Sequence, residues 1–149
     1  MLKQCQMRRG AAGFTLIELL CVLAIAAVLA CIAIPGYQLI VQKTRRADAL
    51  AALQMAQMAQ ERYRADHRRY GSLDDIRAPA ASPAGHYRLA VSSSEFGYEI
   101  HAVARGAQQS DIDCRHLTLR VAGTQTLEAS GRDEAVGNPR SINRKCWGL

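Results

Sequence analysis

The chain has 149 residues, which is enough for one modest domain and a short extra segment but hardly for two full domains. Its net charge of +6 falls to +3 once Lys3, Arg8 and Arg9, which all precede Gly13, are set aside. So mild a charge predicts no specific nucleic-acid partner, and the arginines interleaved with acids in residues 45–69 are interpreted as a solvated helix face. The sequence shows no metal-ligand spacing of Cys and His, no glycine-rich phosphate loop and no catalytic set. It therefore predicts no metal, no cofactor and no enzymatic activity.

An apolar segment occupies residues 14–34 and carries a single charge, that of Glu18. Its 21 residues match the length that a helix needs to cross the hydrocarbon core of a bilayer. Because basic residues precede the segment, its N-terminus is expected to stay in the cytoplasm while the rest of the chain is exported. The sequence therefore predicts one membrane-spanning helix with an exported domain behind it.

Three interpretations of this segment compete. It could be a secretory signal cut near Ala30, a lipoprotein signal cut before Cys31, or a retained anchor cut after Gly13 on the cytoplasmic side. A secretory signal has a shorter apolar region, about 7–15 residues, and would not be expected to contain Glu18. The apolar residues 32–34 suit the start of a mature lipoprotein poorly. The retained anchor is therefore favoured.

Glu18 gives the retained anchor a physical purpose. A carboxylate in hydrocarbon costs a few kcal/mol unless it has a partner, so acids inside membranes are usually paired and functional. A cut after Gly13 would make Phe14 the new N-terminus, and its ammonium would lie about one helical turn from Glu18. In a polymer, Glu18 of one subunit could pair with the Phe14 ammonium of its neighbour, and this pairing would set the register of the subunits.

The middle of the chain predicts a continuation of the same helix. Pro35 and Gly36 are expected to kink it, because proline removes a helix hydrogen bond and glycine weakens the helix. Residues 43–69 are rich in Ala, Gln, Arg, Leu and Met and follow an amphipathic helical spacing. The helix is expected to end near Gly71, before a connector that is rich in proline and glycine.

The C-terminal part alternates apolar and polar residues, as half-buried strands do. Four strands are predicted, near residues 86–91, 96–103, 114–121 and 125–129, in an antiparallel meander with one face on the helix. The last twenty residues are interpreted as a polar, turn-rich tail. Two cysteines in an exported domain, Cys114 and Cys146, suggest one disulfide, and closing a loop of this length would contribute roughly 3–4 kcal/mol.

The run from Gly13 to Leu20, Gly-Phe-Thr-Leu-Ile-Glu-Leu-Leu, resembles the class III signal of type IV pilins and type II secretion pseudopilins. This resemblance implies that a prepilin peptidase cuts after Gly13 and methylates the new N-terminal Phe14. It also implies a helix-kinking role for Pro35. The leader is rather long for the type IVa class, which points to Met7 as an alternative to Met1 as the start of translation.

The C-terminal part is similar to PilE-like minor pilins of the type IVa class. The residues that carry this similarity are Tyr98-Glu99-Ile100, Gly106-Ala107-Gln108, Asp111, Cys114, Leu117-Thr118-Leu119, Gly123 and Cys146-Trp147. Pseudopilins usually lack the disulfide, and some bind calcium through clustered acids here, whereas Asp111 and Asp113 are too few for such a site. The pilin is therefore favoured over a secretion pseudopilin, and a lipid-anchored periplasmic binding domain remains a further alternative.

The resemblance implies an α+β pilin fold with a long N-terminal helix packed on a four-stranded antiparallel sheet. The predicted parts are a cleaved leader (1–13), a membrane or filament-core helix (14–34), its amphipathic continuation (35–70), a connector (71–85) and a disulfide-bonded β head (86–149). The implied function is that of a minor pilin, a structural subunit that is incorporated into or initiates a type IV pilus for twitching motility, adhesion and in some cases DNA uptake. The implied partners are other pilins, the prepilin peptidase, the inner-membrane assembly platform and, before assembly, membrane lipid. The implied location is the inner membrane of a Gram-negative-type bacterium, with the head in the periplasm, and then the surface pilus.

Overall fold

The computed structural model describes residues 14–148, and Gly13 with the rest of the predicted leader lies outside them. Contacts divide the described chain after Gln38 into an anchor segment, residues 14–38, and a head, residues 39–148. The elements in chain order are helix α1 (Leu16–His67), strands β1 (Tyr87–Ser93), β2 (Gly97–Ala104), β3 (His116–Ala122) and β4 (Gln125–Gly131), and helix α2 (Arg140–Trp147). Two short 3-10 helices, Gly106–Ser110 and Ile112–Cys114, connect β2 to β3.

The anchor segment is helical from Leu16 onward. The most apolar 18-residue window of α1 has a mean hydropathy of 2.9, and none of that window is buried, so α1 is long and apolar enough to cross a membrane. The helix runs through Pro35 and Gly36 without interruption. The kink predicted at these two residues stays a prediction.

Within the head, α1 buries one stripe against the sheet. The buried apolar residues of α1 are Ala49, Ala52, Leu53 and Ala56, which recur at the helical period. Three of the four are alanines, whose small side chains leave room for larger apolar side chains from the sheet. The inner face of the sheet supplies larger apolar partners, among them Ile100, Leu117 and Leu119. Over this stretch α1 therefore has one buried apolar face, while its division into an apolar and an amphipathic part at residue 35 stays a prediction.

The sheet is an antiparallel meander in the order β1-β2-β3-β4, as predicted. Central pairs such as Ile100 with Leu119 and Leu117 with Ser130 set its register. Residues of β2 alternate between buried and half-buried, because one face packs on α1 and the other faces outward. The edge of β1 is partly covered by the connector, which forms an isolated bridge between Ala81 and Arg88.

The C-terminal residues differ from the prediction, because α2 replaces the expected turn-rich tail. Asn143 and Cys146 lie three positions apart on one helix face, and both are buried. Asn143 accepts a hydrogen bond from the Ser130 hydroxyl at 2.6 Å and donates one to the Glu128 carbonyl at 2.8 Å. Cys146 is bonded to Cys114 with their Cα atoms 5.5 Å apart, so the predicted disulfide is confirmed. A short polar helix of this kind depends on contacts with the sheet, which local sequence composition does not reveal.

Candidate functional site

The anchor segment begins with a capping box formed by Thr15 and Glu18. The Glu18 backbone N–H donates to the Thr15 hydroxyl at 3.3 Å, and the Thr15 backbone N–H donates to the Glu18 carboxylate at 3.5 Å. Such reciprocal bonds satisfy N–H groups that the first turn of a helix leaves without partners. The carboxylate of Glu18 is therefore held at the start of α1, close along the chain to the predicted new terminus at Phe14.

One end of the head contains a buried ion pair between α1 and the segment that joins β2 to β3. Arg46 is only 7% exposed and donates to both carboxylate oxygens of Asp111, at 2.6 and 2.9 Å. A third bond runs from Arg46 to the Lys145 carbonyl at 2.8 Å. The interpretation of Arg46 as part of a solvated face is therefore wrong. Arg46 lies three residues before Ala49, on the same face of α1, and so extends the buried stripe. This helical spacing was the feature of the sequence that could have indicated that Arg46 is buried.

A second set of buried polar groups continues from this pair to the disulfide. Gln108 donates to the Asp111 carboxylate at 3.0 Å and to the Tyr87 hydroxyl at 3.1 Å. Tyr87 in turn donates to the Cys114 carbonyl at 3.3 Å, and burial raises its pKa to about 12. Together these bonds fasten the disulfide-bearing segment to both α1 and β1, so this end of the head is well fixed.

Asp111 and Asp113, the two acids considered as a possible calcium site, both form ion pairs with basic side chains of the head. Asp111 is bonded to Arg46, while Asp113 accepts from Lys145 at 2.8 Å and pairs with Arg132 at 3.0 Å. The hydrogen bond from Lys145 holds the pKa of Asp113 below its ordinary value. Among residues 14–148 no group of three or more His, Cys, Asp or Glu residues is arranged to hold a metal ion.

The connector is anchored to α1 at both of its ends. Gln60 is fully buried and forms two bonds with the Gly71 backbone, at 2.7 and 3.0 Å. Further along the connector, the Asp48 carboxylate accepts from the Ser82 hydroxyl and from the Ala84 N–H at 2.8 Å. Side chains on the connector are therefore presented from a fixed backbone.

The other end of the head, called here the distal end, holds the last turns of α1 and the tips of both hairpins. The rings of Tyr98 and Tyr70 lie 4.8 Å apart, and the Tyr98 hydroxyl donates to the Glu61 carboxylate at 3.1 Å. Tyr98 is the second residue of β2 and lies close to the β1–β2 turn. The meander returns β3–β4 to the same end, where the Gly123 N–H donates to the Phe96 carbonyl at 3.1 Å.

Exposed arginines concentrate at the distal end. Residues 62–69 include four exposed arginines and one aspartate. The distal basic surface is defined as these four arginines with one from the connector: Arg62, Arg64, Arg68, Arg69 and Arg77, all of them exposed. Asp74 and Asp75 lie in the adjoining connector turn, so the positive charge is strongest along the end of α1.

Aromatic rings are interleaved with these arginines. Tyr63 and His67 stack with their ring centroids 4.0 Å apart. The guanidinium of Arg69 lies 5.8 Å from the Tyr63 ring, and that of Arg64 lies 4.9 Å from the Tyr70 ring. Beside them, α1 and the connector enclose an open groove of about 630 Å³. Arginines placed on aromatic rings are partly preorganised, and they keep donors free for an external acceptor.

Two residues of the distal basic surface have an unusual backbone. Arg68 has φ 56° and Arg77 has φ 54°, and among residues 14–148 these are the only residues other than glycine with positive φ. The left-handed conformation costs a residue with a Cβ roughly 1–2 kcal/mol and is normally given to glycine or asparagine. Arg68 follows the last residue of α1, which therefore ends slightly before the predicted boundary.

The apolar N-terminal helix, the four-stranded antiparallel sheet and the C-terminal disulfide together define the chain as a pilin. Residues 8–34 match the family model described as the prokaryotic N-terminal methylation motif. Residues 35–118 match the family described as type IV minor pilin ComP, DNA uptake sequence receptor. This second match covers more than half of the chain, which therefore belongs to that family of type IV minor pilins. A search of curated proteins gives no significant match.

These matches confirm the type IV minor pilin and the class III signal, and they do not favour the secretion pseudopilin or the lipid-anchored domain. The methylation motif and the apolar helix also indicate membrane anchoring and a pilus. The family is described as a DNA uptake sequence receptor, whereas the mild net charge of this chain predicts no specific nucleic-acid partner. The prediction of no specific nucleic-acid partner rested on net charge alone, and the head carries sixteen lysines and arginines against twelve acids.

Proposed function

We propose that this minor pilin binds double-stranded DNA at the distal end of its head and so serves DNA uptake by the pilus. The observation that carries the proposal is the position of the distal basic surface. All of it lies within residues 35–118, the stretch matched by a family described as a DNA uptake sequence receptor. The distal end of α1 is also where the exposed arginines are most concentrated.

The chemistry of the distal basic surface suits the DNA backbone. Arginine binds phosphate through two donors at once and is always charged, and contacts of this kind supply most of the affinity of a protein for DNA. Several arginines in and just after the last turns of α1 could contact successive phosphates. Asp66 within the same helical turn, and Asp74 in the connector, would limit the number of simultaneous contacts.

The backbone at Arg68 and Arg77 supports a role for these side chains beyond folding. Glycine or asparagine would be easier to accommodate at both positions, because both have positive φ. Residues with a strained backbone cluster at functional sites, so an arginine at such a position suggests that its side chain has a function. Both side chains are exposed, so the function that they suggest is contact with an external partner.

Binding of labelled duplex DNA by the full-length, processed protein in detergent micelles tests this proposal. The double variant Arg68→Asn/Arg69→Gln should bind more weakly, and its plot of log affinity against log salt should be flatter by about two, one for each lost phosphate contact. The control is Arg105→Gln, which removes an exposed arginine near the start of β1, where the Arg105 N–H donates to the His86 carbonyl. Equal binding by both variants would contradict the proposal.

We also propose the processing and assembly steps that the signal implies. The prepilin peptidase cuts after Gly13 and methylates Phe14, and the assembly platform then takes the subunit from membrane lipid into the filament. Before assembly the chain spans the inner membrane once, with its head in the periplasm. Glu18 pairs with the Phe14 ammonium of a neighbouring pilin, and its place in the first turn of α1 supports this role. The subunit acts as a structural and binding protein, without catalytic activity.

A further inference from the structure

Phe96 is an apolar side chain that the fold leaves in water. It lies in the turn between β1 and β2 and is 78% exposed, the highest value among the large apolar residues of the head. Its preceding neighbours, residues 92–95, are three serines and Glu95, all exposed. A single exposed ring is common on protein surfaces and by itself means little. The backbone around it and its position in the head add two independent observations.

The backbone on both sides of Phe96 is held in place. Its carbonyl accepts the Gly123 N–H of the neighbouring hairpin turn at 3.1 Å. The next residue, Gly97, packs so closely that a Cβ there would lie 2.2 Å from the Val121 carbonyl oxygen. The Ser94 N–H closes the turn by donating to the Gly97 carbonyl at 2.8 Å. The ring therefore projects from a preorganised turn, which lowers the entropy lost when it contacts a partner.

Phe96 lies at the same end of the head as the distal basic surface. Two residues beyond it, Tyr98 contacts Tyr70, and the guanidinium of Arg64 lies over the Tyr70 ring. A ligand held by the arginines is thus within reach of the β1–β2 turn. The exposed arginines suit the phosphates of a polyanion, and the aromatic ring suits a ligand with flat apolar surfaces. Duplex DNA offers both, as phosphates outside and stacked bases inside.

We propose that Phe96 is a wedge that enters a base step of the bound duplex. This inference rests on the proposed DNA-binding function and specifies how the DNA is held. Proteins that insert an apolar side chain between base pairs unstack that step and bend the duplex, which brings more of its backbone onto the protein. The wedge would favour steps that unstack easily, such as TA and CA/TG, so it would contribute sequence preference without hydrogen bonds to bases.

The surroundings of the ring favour DNA over a protein partner. An aromatic anchor in a protein interface usually sits within a wider apolar patch, whereas residues 92–95 are small or charged. The serines leave room for the sugars and phosphates that flank an opened step. Glu95 would repel a phosphate at its own position, so the phosphate contacts must come from the arginines of the distal basic surface.

The test uses the full-length, processed protein in micelles with a duplex that contains 2-aminopurine, whose fluorescence rises when it is unstacked. Wild-type protein should raise the fluorescence at a TA or CA step. Phe96→Ala should abolish the rise and weaken binding about tenfold, within the range that loss of one base–aromatic contact gives. Phe96→Leu should restore part of both signals, because leucine also serves as a wedge. A thermal melt of each variant verifies that the exposed site does not affect folding.

The outcomes separate the two proposals. Unchanged fluorescence and affinity in Phe96→Ala, or no rise with the wild-type protein, would overturn the wedge. If Phe96→Ala binds DNA normally but fails to enter pili, the ring is a contact between pilins, and the wedge is also overturned. If Arg68→Asn/Arg69→Gln also leaves DNA binding unchanged, the proposed function itself fails.

Discussion

Arg68 combines a strained backbone with an exposed, charged side chain, so a single substitution can separate folding from binding. Arg68→Gly removes the clash of the Cβ in the left-handed region, which stabilises the folded state, but it also raises the entropy of the unfolded chain, which destabilises it. The free energy of unfolding should therefore stay level or rise by up to about 1 kcal/mol. Denaturant unfolding of the full-length protein measures this. A clear loss of stability would mean that the Arg68 side chain supports the fold and that its strain gives no indication of function.

Asp111 is predicted to matter for stability far more than its neighbour Asp113. Asp111→Asn would leave the buried guanidinium of Arg46 without a counter-charge, and breaking a buried pair on one side typically costs about 3–5 kcal/mol. Asp113→Asn is the matched control, since its partners Arg132 and Lys145 are exposed and such pairs contribute about 1 kcal/mol or less. Equal melting temperatures for the two variants would contradict the structural role assigned to the buried pair.

The attachment of helix α2 to the rest of the head depends on the Cys114–Cys146 disulfide. The bridge joins cysteines separated by 32 residues, and its loss should cost roughly 3–4 kcal/mol through the greater entropy of the unfolded chain. Cys114→Ser/Cys146→Ser should therefore lower the amount of folded protein and expose residues near α2 to protease. Cys21→Ser, at a free and exposed cysteine of α1, is the control. Unchanged protease resistance in the double variant would count against the role of the bridge.

The elements that the sequence predicted well are those with a strong local pattern. α1 follows from a long run of helix formers, and the four strands follow from alternation, with ends displaced by only a few residues. The Cys114–Cys146 bond followed from two cysteines in an exported domain. α2 and the buried Arg46 were missed for a shared reason. Each depends on partners far away in the sequence, Arg46 on Asp111 and Asn143 on Ser130, which neither composition nor periodicity reveals.

The distal basic surface could be anticipated only in part. Its arginines were visible as a cluster, and their exposure on α1 agrees with the predicted solvated face. Sequence alone could not bring the connector residue Arg77 or the hairpin residue Phe96 to the same end of the head. That proximity depends on the meander topology and on contacts such as Tyr98 with Tyr70.

In the assembled filament, Glu18 is predicted to act after processing. Glu18→Ala should leave cleavage after Gly13 largely intact but reduce incorporation into pili, because the Phe14 ammonium of a neighbour would lose its partner in an apolar environment. Gly13→Leu should instead block cleavage, since a peptidase site that accepts glycine would not accommodate leucine. Mass spectrometry of the mature N-terminus and quantification of the subunit in sheared pili distinguish the two defects. Normal incorporation of the Glu18→Ala subunit would refute the pairing.

A DNA receptor that works from the pilus must bind DNA while it is part of the filament. Arg68→Gly suits a test in cells, because this variant is expected to fold and assemble normally. The most direct measurement is DNA uptake by cells that display Arg68→Gly subunits in pili at wild-type levels. The proposed function predicts that uptake falls several-fold while the amount of the subunit in pili is unchanged. Uptake at the wild-type rate in these cells would contradict a role for the distal basic surface in binding DNA.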